Sequence, residues 1–148
     1  MQKDDIRSAS GADYGRSLAG FGINILVRDI AEEAAWLGEV LQLEVIRQDA
    51  SFAVIGYGKQ HFMLHVDATY AENPLLSLVP ETGIRGGGLE LRLYDTDPDT
   101  ALLHARKAEA EGRGSVLREC SDRPHGLREC YLLDPNGYCW IPSSRLAP

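Results

Sequence analysis

Apolar and polar residues alternate from Phe21 to Val27, with Ile23, Ile25 and Val27 on one side and Gly22, Asn24 and Leu26 on the other. A two-residue period of this kind predicts a half-buried strand. After Asp29 the period changes. From about Ala31 to Leu41, Ala34, Leu37 and Leu41 recur at helical spacing, Ala35, Trp36 and Val40 widen the stripe, and Glu32, Glu33 and Glu39 fill the remaining surface. Three β-prone runs follow at Leu43 to Arg47, Phe52 to Gly56 and His61 to Val66, parted by polar or Gly-containing turns at 48–51 and 57–60. The pattern predicts a βαβββ unit over residues 20–68.

The same order then restarts. A connector at 69–86 carries Asn73, Pro74, Pro80, Gly83 and Gly86 around an apolar island at Leu75 to Val79. Leu89, Leu91 and Leu93 alternate with Gly88, Glu90 and Arg92, and Asp97-Pro98 supplies an N-cap and an N1 proline for a helix running to about Glu111. Gly112 and Gly114 end that helix, and Ser115 to Cys120, Leu127 to Leu133 and Tyr138 to Ile141 give three more strands. Asp29 and Asp95 stand at matching places, so residues 87–142 read as a second copy of the first unit. The predicted fold class is α+β: two βαβββ units with curved mixed sheets that form a cleft, within a single domain over 19–148. Residues 1–18 show no apolar periodicity and predict a mobile extension, with Tyr14 able to dock locally.

Charge narrows the partners. The formal net charge is −7, with 15 Lys and Arg against 22 Asp and Glu, which argues against nucleic acid. No apolar run is long enough for a signal peptide or a membrane span, so a cytoplasmic protein with no membrane partner is expected. Cys120, Cys130 and Cys139 form no Cys-x-x-Cys pair, and free thiols are expected. Trp36 and Trp140 are read as core or subunit-interface residues, and His104 and His125 as surface residues with no Ser or Cys at a spacing that would make a nucleophile and base. Gly86-Gly87-Gly88 precedes a strand, whereas a phosphate-binding loop follows a strand and opens a helix, so a nucleotide site is rejected.

The most specific local signal is His125-Gly126-Leu127-Arg128-Glu129-Cys130-Tyr131-Leu132-Leu133-Asp134-Pro135-Asn136-Gly137-Tyr138-Cys139-Trp140, a strand, a tight Asp-Pro-Asn-Gly turn and a return strand. Taken with the strand-Asp-helix opening at Ile23 to Asp29 and the duplication, it resembles the final hairpin of the vicinal oxygen chelate superfamily. That superfamily holds glyoxalase I, extradiol dioxygenases, and the fosfomycin and bleomycin resistance proteins. The string Ser51-Phe52-Ala53-Val54 and the Arg128-Glu129 pair are most similar to the bleomycin resistance branch.

The resemblance implies a divalent metal held by one position on the first and one on the last strand of each unit. Carried over, those positions are Gly22, Met63, Gly88 and Ile141, none of them a ligand for a hard cation. A two-residue shift would substitute Asn24, His61 or His65, Glu90 and Cys139, leaving open an alternative: a divalent-metal lyase, isomerase or dioxygenase. His61 and His65 share a face but lie about 13 Å apart along a strand, too far to hold one ion together.

The leading expectation is therefore a metal-free protein with no cofactor and no assigned catalytic residue, which binds a small molecule, aromatic or cationic, as a homodimer. Strand parity makes Asn24, His61, Met63, His65, Glu90, Arg92, Arg128 and Ile141 the candidate ligand-binding residues. Glu90 and Arg92 are also read as a structural ion pair, with each other or across to Arg128, and His65 as a packing histidine.

Overall fold

In the computed structural model, which describes residues 1–148, the alternating run before Asp29 becomes strand β1 (Asn24–Val27). It is shorter than its sequence pattern because Phe21 projects into solvent and Gly20 is left-handed (φ +75°). Helix α3 (Ile30–Leu41) begins where the Asp29 carboxylate accepts from the Glu32 amide at 2.8 Å, an N-cap bond that satisfies one of the helix's orphan donors. Strands β2 (Glu44–Gln48), β3 (Phe52–Tyr57) and β4 (Gln60–Val66) complete a sheet of order β1-β4-β3-β2 in which β1 and β4 are parallel.

The second sheet repeats this topology. Strands β5 (Glu90–Leu93), β6 (Ser115–Asp122), β7 (Leu127–Leu133) and β8 (Cys139–Arg145) run in the order β5-β8-β7-β6, with β5 and β8 parallel, and helix α4 (Pro98–Ala110) follows β5. Two four-stranded mixed sheets of identical order make the α+β duplication a structural fact. The chain divides into two compact units, Met1–Ala34 with Leu43–Leu76 and Ala35–Gln42 with Ser77–Pro148, so most of α3 belongs to the second unit rather than to the first. Within that second unit, Trp36 of α3 is fully buried beside Gly114, and Arg113 pairs with Glu39 at 2.9 Å.

One face of each sheet is an aliphatic layer. Ile25, Ala53, Ile55 and Leu64 share a face of the first sheet by register and are buried. In the second unit, Leu91, Leu132, Trp140 and Cys130 are buried, and α4 presents Ala101, Ala105 and Ala108 as a narrow stripe whose small side chains let it lie against β6 and β7. The Asp-Pro-Asn-Gly turn is a buried scaffold. Asp134 accepts from the amides of Asn136 and Tyr138 at 2.9 and 3.0 Å and from Trp140 Nε1 at 2.8 Å. Gly137 is left-handed (φ +85°), and a Cβ there would come within 2.7 Å of the Ile84 Cα.

Two sequence expectations change here. Gly88 is not a strand residue: its φ of +86° places it in a turn closed by Leu89 N–H donating to Gly86 C=O at 3.0 Å. A Cβ at Gly22 or Gly88 would meet nothing within 4 Å, so neither glycine is required by close packing. Residues 1–18, expected as a mobile extension, form helices α1 (Lys3–Ser8) and α2 (Gly11–Ser17). Each is too short to be stable alone, so docking holds them: Ile6 and Tyr14 are buried, and they form one cluster with Ile46 and Val54 of the first sheet. No helix is long and apolar enough to cross a membrane.

Candidate ligand-binding faces

The other face of the first sheet carries the residues singled out in unit one. Register aligns Phe52 with His65, Val54 with Met63, Gly56 with His61 and Asn24 with Met63, so all of these side chains project the same way. That face is covered by α1 and α2. Ile6 and Tyr14 pack on Ile46 and Val54, with Phe52, Met63 and Ala9 at the margin. Charge fastens the cover at its edge: Lys3 and Arg7 both pair with Glu44, and Arg47 Nη1 donates to the Ala9 carbonyl at 2.5 Å while its guanidinium lies 5.8 Å from the Phe52 ring centroid.

The two histidines of this face are separated and engaged differently. Tyr14 Oη lies 2.9 Å from His61 Nδ1, and burial pushes the Tyr14 phenol up so that it stays protonated. His65 Nδ1 lies 2.5 Å from Asn24 Oδ1, while Asn24 Nδ2 donates to Tyr70 Oη at 2.8 Å. With the Asn24 amide so oriented, His65 must donate from Nδ1, leaving Nε2 as its acceptor nitrogen. Burial pushes the His65 pKa down, against an opposing pull from Asp49, so the neutral ring is favoured. His65 also packs between Phe52 and Tyr70, at 4.9 and 5.6 Å between centroids.

The corresponding face of the second sheet is built from charge. Arg92 donates to Glu129 Oε2 at 2.9 Å and to Glu90 at 3.2 Å, and His125 Nε2 reaches the same Glu129 oxygen at 3.2 Å. The Glu129 side chain is 1% exposed, whereas Arg92, Glu90 and His125 retain 22, 45 and 48%. Burial pushes the Glu129 carboxyl up, but the hydrogen bonds from Arg92 and His125 outweigh it and hold the group below its ordinary range. Tyr131, raised by burial and by a hydrogen bond with Glu90, extends the network, and Ile141, paired with Arg92 across β5 and β8, is fully buried.

The structure thus gathers Asn24 with His65, and Glu90 with Arg92, and sets His61 and Met63 beneath the N-terminal helices. Arg128 does not join Glu90 and Arg92. It lies with Cys130 on the helix-facing side of β7, where it bridges Asp99 of α4 at 2.8 Å and Asp122 at 3.0 Å. Its neighbour Glu129 takes the place expected of it, and His125, expected only as a surface residue, joins the cluster. Tyr14 and Tyr70 complete the first face. The signal for Glu129 lay in strand parity: Cys130 and Leu132 mark the buried side, which puts odd-numbered residues of β7 on the other. A separate depression of about 420 Å³ lies at the start of α3, lined by Arg28, Asp29, Ile30, Gln48, Asp49 and Val66, and contains none of the candidate residues.

The residues present do not fit a divalent metal at the four positions that the sequence resemblance implies. Gly22 and Gly88 have no side chain, Met63 is a soft thioether and Ile141 has no donor. No group of three or more His, Cys, Asp or Glu side chains gathers in a metal-binding arrangement. Of the shifted candidates, His65 keeps Nε2 as an acceptor, but Asn24 spends its amide on His65 and Tyr70, Glu90 is paired with Arg92, and burial pushes the Cys139 thiol up to about 11, away from the thiolate a metal would require.

No protein-family model and no curated protein matches the sequence. Solved structures do. A glyoxalase-related enzyme from Fulvimarina pelagi aligns with 16% identity over 86% of this chain and 89% of its own, with a TM-score of 0.65. A glyoxalase/bleomycin resistance protein/dioxygenase family enzyme from Burkholderia phytofirmans aligns with 19% identity over 84 and 96%, also at 0.65. A lactoylglutathione lyase from Agrobacterium tumefaciens gives 19% identity over 85 and 92% at 0.56. With the duplicated β1-β4-β3-β2 order, these likenesses establish that the chain has the fold of the glyoxalase/bleomycin resistance/dioxygenase superfamily.

Proposed function

We propose that this protein binds a small molecule without a metal, in the manner the notion of a bleomycin-resistance-like protein suggests, sequestering a drug or metabolite rather than transforming it. One observation carries the reading: the positions that the resemblance assigns to a cation hold Gly22, Met63, Gly88 and Ile141, none with a donor for a hard cation. The nearby polar side chains are bound to one another, as in Asn24 with His65 and Arg92 with Glu129. Charged groups remain to recognise a ligand on the second sheet, where Glu90, Arg92 and His125 are partly exposed.

The reading also has the chain acting as a homodimer, supported by the exposed apolar side chains Leu75, Leu78 and Ile84 along the connector and Leu89 just after it. Sedimentation equilibrium at micromolar protein returning a monomer would remove the dimer and leave the ligand question intact.

The test is metal content of the purified protein, followed by thermal denaturation with added Mn²⁺, Fe²⁺, Ni²⁺ or Zn²⁺ and with a panel of aromatic and cationic small molecules. A ligand selective for the native state raises the midpoint. Stabilisation by organic ligands with no stoichiometric metal supports the reading. One metal per chain, lost on His65→Ala or Glu90→Ala, overturns it in favour of a lyase or dioxygenase.

A further inference from the structure

The charged face of the second sheet contains polar atoms that its own network leaves unsatisfied. Ser121 on β6, Glu129 on β7 and Ser143 on β8 are register partners, so their side chains stand in one row across three strands. Ser121 Oγ, Glu129 Oε1 and Ser143 Oγ are all closed to bulk solvent, and none has a hydrogen-bond partner. Ser143 and Glu129 are 0 and 2% exposed. A single unsatisfied buried polar atom is uncommon, and each adds a desolvation penalty; three adjacent ones mark a place for a guest.

The row also specifies the guest's chemistry. Glu129 Oε2 is taken by Arg92 and His125, which fixes the carboxylate and turns its second oxygen into a pure acceptor. The serine hydroxyls can each accept as well as donate. A guest must therefore present several donors from one small head. Glu90, Arg92 and Glu129 together carry one net negative charge at neutral pH, and the pull from Arg92 and His125 keeps Glu129 ionised. A protonated amine meets these demands: three N–H donors on one nitrogen and a positive charge opposite a carboxylate.

We propose that Ser121, Glu129 and Ser143 form a recognition site for the ammonium head of a small amine, with Arg92 and His125 as positioning residues that hold the carboxylate. This rests on the metal-free binding reading above and names the ligand class for it.

The test uses the full chain, labelled with ¹⁵N, at pH 7. Ethylammonium chloride is titrated against ethanol as the neutral counterpart and sodium chloride as the salt control. Saturable shifts of the Ser121, Glu129 and Ser143 amides with ethylammonium, at least about ten-fold weaker with ethanol, are expected. The Ser121→Ala/Ser143→Ala double variant, which keeps the Arg92 and Glu129 pair, should weaken the response about ten-fold, and Glu129→Gln should abolish it. A dispersed spectrum in the double variant shows that folding is not the cause.

Equal response to ethanol and ethylammonium overturns the site. So does a response unchanged by the double substitution, or a crystal structure grown with ethylammonium that holds an ordered water in the row. A neutral ligand found by the thermal panel and bound without these residues would sink the amine site while leaving metal-free binding standing; stoichiometric metal would sink the latter.

Discussion

The two sheets share one topology and differ in what lies on their second faces. The first is apolar at its centre, with Ile46, Val54 and Met63, and the chain covers it with its own helices through Ile6 and Tyr14. The second carries Glu90, Arg92 and Glu129, with a buried floor and a rim open at His125 and Glu90. The duplicated architecture differs between its copies: one face is covered by packing, the other is lined by charge, and only the second has unsatisfied polar atoms in a registered row. Duplication supplies two equivalent surfaces but does not oblige both to bind.

The comparison can be broken most forcefully at the cover. Ile6→Ala should destabilise the protein by about 3 kcal/mol in urea denaturation, because a fully buried aliphatic side chain is removed from a six-residue helix that has no other anchor in the core. A loss within experimental error would mean that α1 does not close the first face.

Glu129→Ala should have a smaller effect, about 2 kcal/mol, since Arg92 loses its buried partner yet keeps Glu90 and some solvent. Tyr14→Phe, which deletes only the hydroxyl facing His61, should lower stability by about 1 kcal/mol in the same assay.

The smallest effect concerns pH and sharpens the contrast between the faces. The folded carboxyl of Glu129 is held below its ordinary value of 4.5, so it binds protons less readily than in the unfolded chain. Its contribution is therefore complete above about pH 4.5 and is lost as pH falls through the depressed folded value. Denaturation midpoints of wild type and Glu129→Gln should converge as pH is lowered through that range; parallel curves would show that Glu129 is not held charged by its neighbours.

Much of the fold was legible because periodicity is a local property. The alternation of Ile23, Ile25 and Val27 and of Leu89, Leu91 and Leu93, the Asp97-Pro98 helix start and the glycines after α4 each specify an element from adjacent residues. The cover was not legible. Ile6 and Tyr14 stand eight residues apart on two helices too short to show a stripe, and what stabilises them is a sheet face formed by residues 46–63.

The second face was half legible for a related reason. Glu90 and Arg92 followed from parity on β5, but Arg128 and Glu129 are adjacent charges on opposite sides of β7. Arg128 is drawn to the helix side by Asp99, a partner 29 residues away. Gly88 failed for a backbone reason: alternation in sequence carries no information on φ, and its left-handed conformation keeps β5 from starting until Glu90.

The central claim is that ligand recognition has moved to the charged face while the apolar one is closed by the chain's own N-terminal helices. Amide mapping of binding with a chemically mixed fragment library tests it most directly. The account predicts that perturbed amides concentrate at Arg92, Ser121, His125, Glu129 and Ser143, with α1 and α2 unaltered. Perturbations centred on His61, Met63 and His65, accompanied by release of Ile6 and Tyr14, would contradict it.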